Sequence, residues 1–162
     1  MNRHLRNTAL ALVSGILSAL AFPKLGLFFL GWISLIPLLY VLSGAKPARG
    51  FFLGWCGGFG FYLVLLYWIQ DVPSHYGGLS WGLSALVFAL FAGFLALLLG
   101  VFGTVFCRLR AAFPQSAFVL APFLWVALEY ALTHILTGFP WGLLGNSQFR
   151  NLFFIQTAAL TG

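Results

Sequence analysis

Acidic residues are almost missing from this chain. Only Asp71 and Glu129 carry a carboxylate among 162 positions, and charged residues of both signs make up 6%. Soluble domains carry about 25% charged residues, so a water-facing surface cannot be built from this set. Cysteine is scarce as well. Cys56 and Cys107 stand alone in apolar runs, which excludes a disulfide framework and a CxxC-type metal site. No metal and no cofactor is expected. The net charge of +6 does not point to nucleic acid, because the cations are scattered between apolar runs and form no stripe with base-stacking aromatics. The sequence holds no internal repeat, low-complexity linker or separate soluble domain.

What is present is hydrophobic: 62% of the residues are apolar, with 19 Phe and 19 Gly. Apolar runs fall near 8–22, 25–43, 50–70, 81–107 and 116–136. Each is about long enough to cross a bilayer, the first marginally. A sixth begins near 151 and has twelve residues in the sequence, against about 20 needed to span the hydrocarbon. The predicted fold is all-α: a polytopic transmembrane helix bundle of about five complete spans plus the start of a sixth. The first run does not read as a cleavable signal, since "FPKLG" is a poor cleavage site.

The cations assign sidedness. With alternating spans, Arg3, Arg6, Lys46, Arg49, Arg108 and Arg110 share one side, and only Lys24 and Arg150 fall on the other. The positive-inside rule then places the N-terminus in the cytoplasm. The loops "IQDVPSHYGGLS" and "TGFPWGLLGNSQFRN" face out. Within the runs, small residues recur at every fourth position: Gly50, Gly54 and Gly58; Ala92, Ala96 and Gly100; Ala11, Gly15 and Ala19. Such faces let helix backbones approach closely.

Asp71 ends its run and is expected at headgroup level. Glu129 lies inside the fifth run, where an ionisable group costs on the order of 2.5–3.5 kcal/mol. It must face a partner or a wet cavity, so it either pins helix packing or serves a substrate cavity. A Cys–His dyad is excluded by placement. Cys56 and Cys107 fall near the cytoplasmic ends of their runs, and His75 and His134 near the outer ends. A nucleophile and its base must lie within about 3 Å. Trp68 and Trp141, with Tyr67, Tyr76 and Trp81, fit an interfacial aromatic belt or a lipid-binding mouth.

The stretch "LTGFPWGLLGNSQ", residues 136–148, breaks any helix with its glycines, Pro140 and Asn146. Non-helical backbone at membrane depth is tolerated only where protein or water covers it. Phe139, Trp141, Asn146 and Gln148 are therefore candidates for lipid binding or domain docking, together with Glu129 and Trp68. The amides are expected to satisfy exposed backbone groups.

Five strings, "SALAFPKLGLFFLGWISLIPLL", "GFGFYLVLLYWI", "YGGLS", "APFLWVALEY" and above all "LTGFPWGLLGNSQ", resemble the N-terminal membrane region of apolipoprotein N-acyltransferases. Thr137, Gly138, Phe139, Pro140, Trp141, Gly145, Ser147 and Gln148 are the most specific part. The resemblance implies an inner-membrane acyltransferase with eight spans and a nitrilase-like domain outside the membrane. That domain's Glu–Lys–Cys triad takes an acyl chain from a phospholipid and passes it to the N-terminal amine of a lipid-modified lipoprotein, a ping-pong scheme. Residues 1–162 would then be an incomplete enzyme, inactive alone, with no catalytic residue in this chain and the nitrilase-like domain missing. Two departures stand out: the family commonly has Tyr at the position of Asn146 and Arg at that of Leu132. Without that Arg, Glu129 needs another partner, with Arg150, Lys24 or a proton as candidates. The other readings are a non-catalytic membrane partner of a separate nitrilase-like subunit, or a small transporter. The transporter is weakened by the lack of polar residues lining several spans.

Overall fold

A computed structural model describes residues 2–135 and 138–157. Thr137 of the motif and residues 158–162 of the sixth run lie outside the described residues. The described residues are helical and contain no strand. Helix α1 spans Arg3–Leu20, and Asn2 caps it by accepting from the His4 amide. Two short helices follow, α2 (Leu30–Ile33) and α3 (Ile36–Ser43). Helix α4 runs Pro47–Leu65, with Pro47 in its first turn, where a missing N–H costs nothing. A 3₁₀ turn over Tyr67–Gln70 and the short α5 (Asp71–His75) lead to α6, Trp81–Ala112. Helix α7 is Ala117–His134; a second 3₁₀ turn covers Leu144–Gln148, and α8 is Leu152–Ile155.

Among the described residues three helices, α4, α6 and α7, are long and apolar enough to cross a membrane. At about 1.5 Å per residue, the 32 residues of α6 reach well beyond the hydrocarbon thickness of about 30 Å. The run expected at 25–43 is not one helix. It opens as a turn in which Gly26 has φ of 66°, and it breaks again between α2 and α3. The break is covered: Ser14 on α1 donates its hydroxyl to the Ser34 carbonyl, and Ser18 donates to Ser34 Oγ at 2.9 Å. All three serines are buried. The apolar run at 50–70 ends as α-helix at Leu65, five residues early.

The core is the packing of α4 between α1 and α6. Gly50, Gly54 and Gly58 face α6, where a Cβ on Gly54 would fall on the carbonyl oxygen of Leu99 and one on Gly58 would press on Ala96. On another face of α4, Gly57 and Gly60 lie against Ala11 and Leu12 of α1, and a Cβ on Gly15 would fall on the Gly57 carbonyl. The two contacts use different glycine sets, so α4 is clasped from two sides. Helix α7 joins through aromatic edges: Phe102–Trp125 at 5.2 Å and Phe106–Phe118 at 5.6 Å. Only Ala117 and Ala121 of α7 are buried, and Phe123, Val126 and Tyr130 are exposed.

Candidate functional site

Glu129 sits on α7, half-buried. Its Oε1 accepts from the indole Nε1 of Trp125, one turn earlier, at 2.8 Å, and from the backbone N–H of Leu144 at 2.6 Å. Leu144 opens the second 3₁₀ turn, whose first amides lack partners in any helical turn. The carboxylate thus tethers the irregular stretch to α7. Both donors are neutral groups, which corrects the expectation that Arg150 or Lys24 would serve. Lys24 Nζ lies 3.6 Å over the Tyr67 ring, and Arg150 stacks on Phe149. Leu132 borders the same small void as Glu129 and Tyr62. At about 20 Å³ that void has room for one water molecule.

Gln148 closes the other end of the turn. Its Nε2 donates to the Phe28 carbonyl at 2.9 Å and to Ser147 Oγ at 3.1 Å; its Oε1 accepts from Trp32 Nε1 at 3.0 Å. One amide therefore satisfies the non-helical backbone before α2 and orients an indole. Ser147 is fully buried and donates to the Leu144 carbonyl. Gly31 leaves the room that Gln148 and Ser147 occupy, since a Cβ there would meet both at 2.7 Å. The fold-back itself needs Gly142: its φ is 87°, and a Cβ would press on Leu65 and Phe61.

Glu129 and Gln148 stand at one end of a half-open cleft of about 430 Å³ between α7 and the α2–α3 segment. Trp32, Leu35, Leu39, Phe102, Pro122 and Val126 form most of its apolar wall. From Phe118 to Glu129 the α7 side covers twelve residues, about 16 Å of helix. The cleft is long, greasy and polar only near one end.

The other candidates separate from it. Phe139, Trp141 and Trp68 join Phe91 in one aromatic row, with ring centroids at 5.6 Å for Phe91–Phe139, 5.6 Å for Phe139–Trp141 and 5.2 Å for Trp141–Trp68. The row crosses from α6 over the stretch to the turn after α4. Phe139 borders a second apolar cleft, of about 270 Å³, between α6 and α7. Asn146 is exposed, and its side-chain amide makes no hydrogen bond among the described residues. Trp32 and Trp125 belong to the site and were not singled out from the sequence, whereas Ser147 stands there as part of the motif. Trp125 had a signal, standing one helical turn before the lone buried-run acid.

Cys56 and Cys107 are free and buried, and Cys107 donates to the Leu42 carbonyl at 3.3 Å. His75 and His134 bond to carbonyls of their own turns. Among the described residues no three His, Cys, Asp or Glu gather as a metal site.

A family model described as the apolipoprotein N-acyltransferase N-terminal domain matches residues 14–162. The chain belongs to the apolipoprotein N-acyltransferase family. It is 39% identical over 157 residues to the apolipoprotein N-acyltransferase of Geobacter metallireducens, covering 97% of this chain and 30% of that protein. It is 33% identical to that of Coxiella burnetii, covering 90% of this chain and 30% of the relative. For the Gloeobacter violaceus protein the identity is 32%, over 99% of this chain and 32% of the relative. The chain thus spans about a third of the length of these relatives. In this apolipoprotein N-acyltransferase family member, the matched region contains the whole tether between Glu129, Leu144 and Gln148.

Proposed function

We propose that this chain is the N-terminal membrane region of an enzyme that moves an acyl chain from a membrane phospholipid to the N-terminal amine of a lipid-modified lipoprotein. Five spans, with α1 and the broken α2–α3 pair each crossing, and the start of a sixth make up the region in this reading. It lies in the bacterial inner membrane with the N-terminus in the cytoplasm. A nitrilase-like domain carries the chemistry, and no catalytic residue belongs to residues 1–162. The role left to these residues is to hold the acyl chain and to present a docking floor at the outer surface. The observation that supports it is the cleft of about 430 Å³ with Glu129 and Gln148 near one end: an acyl tail needs a long apolar wall, and an ester group needs a polar end.

The reading expects the purified chain, incubated with phospholipid, to form no acyl-thioester. Both thiols are buried, and among the described residues neither is hydrogen-bonded to a histidine, so nothing activates a nucleophile. Mass spectrometry before and after hydroxylamine reads the outcome. A hydroxylamine-sensitive acyl adduct on Cys56 or Cys107 would overturn the division of labour.

Orientation has its own check. Cysteine placed at position 75 or 146 should react with an impermeant thiol reagent in intact cells, while cysteine at 47 should react only after lysis. Positions 75 and 146 are exposed and stand at the opposite end of the bundle from the six clustered cations. Labelling at 47 in intact cells would reverse the topology.

A further inference from the structure

The basic end of the bundle carries a pocket that the proposed acyl transfer does not use. Arg3, Arg6 and Asn7 lie on one face of the first turns of α1, and Tyr40, Ser43 and Gly44 lie with the same spacing at the end of α3. Together they line a hollow of about 160 Å³. Side chains three and four apart share a helix face, so each helix offers three neighbouring groups.

The cations at this end of the bundle differ in what they already do. Arg49 donates to the His4 carbonyl and to Thr8 Oγ1, both at 3.3 Å. Arg110 donates to the Pro114 carbonyl. The guanidinium groups of Arg3 and Arg6 have no hydrogen-bond partner among the described residues. Both acids of the chain stand elsewhere, Asp71 at the start of α5 and Glu129 late in α7. Two guanidinium groups therefore border one cavity with no carboxylate to neutralise them. A guanidinium presents a planar fork of donors that matches phosphate oxygens.

Beside the hollow the surface turns apolar. Leu5, next to Arg6, is 61% exposed, and Ile36, one turn before Tyr40, is 59% exposed. A free anion gains nothing from these side chains; a lipid places its tails along them. Basic pockets between helices on the cytoplasmic side of a membrane are suited to anionic headgroups. We propose that Arg3 and Arg6, with Asn7 and Tyr40, bind the phosphate of an anionic phospholipid headgroup at the cytoplasmic end of the bundle. The site is separate from the cleft at Glu129.

The test uses the purified chain in detergent, with lipid binding followed by native mass spectrometry. The probes are phosphatidylglycerol, phosphatidylcholine and inorganic phosphate. Phosphatidylglycerol should bind at least about tenfold more tightly than phosphatidylcholine, given about 1 kcal/mol for each cation near an anionic surface. The double variant Arg3→Gln/Arg6→Gln should lose at least that factor. Lys46→Gln/Arg108→Gln removes the same charge from the same end at two exposed positions and should cost less than about threefold. Circular dichroism should show both variants as helical as the parent. Equal losses in the two double variants would mean a diffuse field and no pocket, and would overturn the assignment. Retained binding in Arg3→Gln/Arg6→Gln would overturn it as well. Displacement of phosphatidylglycerol by millimolar inorganic phosphate would refute the lipid as ligand.

Discussion

Gly54→Val should remove most folded protein from the membrane. The Cβ alone would land on the Leu99 carbonyl, with Gly100 Cα 3.3 Å away. Those atoms are backbone, so no rotamer change on α6 makes room. The helices must separate, and α4 cannot retreat, because Gly57 and Gly60 hold it against α1. Overpacked cores lose about 1–3 kcal/mol, and a clash of backbone on both sides belongs at the upper end. About 3 kcal/mol corresponds to a roughly hundredfold drop in the folded ratio. Gly82→Ala is the matched control. It lies in the first turn of α6 with nothing within 4 Å of a new Cβ, and the change should be neutral or stabilising by up to about 1 kcal/mol. Size-exclusion profiles of the solubilised proteins and their thermal midpoints read both. A monodisperse Gly54→Val protein with an unchanged midpoint would mean that the α4–α6 seam is looser than the structure has it.

That seam was legible in the sequence, because close helix approach leaves a periodic trace of small residues. Gly50, Gly54 and Gly58 carry it on one face of α4. The second face, Gly57 and Gly60, was hidden by overlap: five glycines in eleven residues do not show which belong to which neighbour. The break after α2 was illegible for another reason. Its hydrogen bonds come from Ser14 and Ser18, sixteen or more positions away, and no local pattern marks a serine that donates across helices. A continuous apolar run was therefore read as one span.

The site divides the same way. Glu129 announces itself, since a lone acid in an apolar run must find partners. One partner, Trp125, sits at helical spacing. The other is the backbone amide of Leu144, which carries no side-chain signature. Asn146 and Gln148 looked equivalent as amides in an irregular stretch. In the 3₁₀ turn they point apart, and only Gln148 reaches the Phe28 carbonyl and the Trp32 indole.

The tether at Glu129 carries the second large effect. In a complete enzyme made by joining this chain to the remainder of its Geobacter metallireducens relative, Glu129→Ala should lower acyl transfer at least about tenfold, or about 1.4 kcal/mol in the barrier. The change leaves the Leu144 amide and the Trp125 indole without an acceptor, and an unsatisfied buried donor costs about 1–3 kcal/mol. The turn over Leu144–Gln148 then shifts at the polar end of the cleft. Glu129→Gln should be much milder, because both donors meet the same oxygen, Oε1, and an amide oxygen can accept them. The seam glycines lie on other helices, so the bundle should survive either change. Trp141→Ala breaks the aromatic row between Phe139 and Trp68 and should depress transfer in the same direction without loss of folded protein.

The deciding measurement is the transfer rate per folded molecule in Glu129→Ala, with folded protein quantified by size exclusion in the same preparation. The account predicts a rate at least about tenfold below the parent, a near-parent rate for Glu129→Gln, and similar amounts of folded protein in all three. A parent-like rate per folded molecule in Glu129→Ala, with the loss appearing only as less folded protein, would contradict it and leave Glu129 a helix-packing residue.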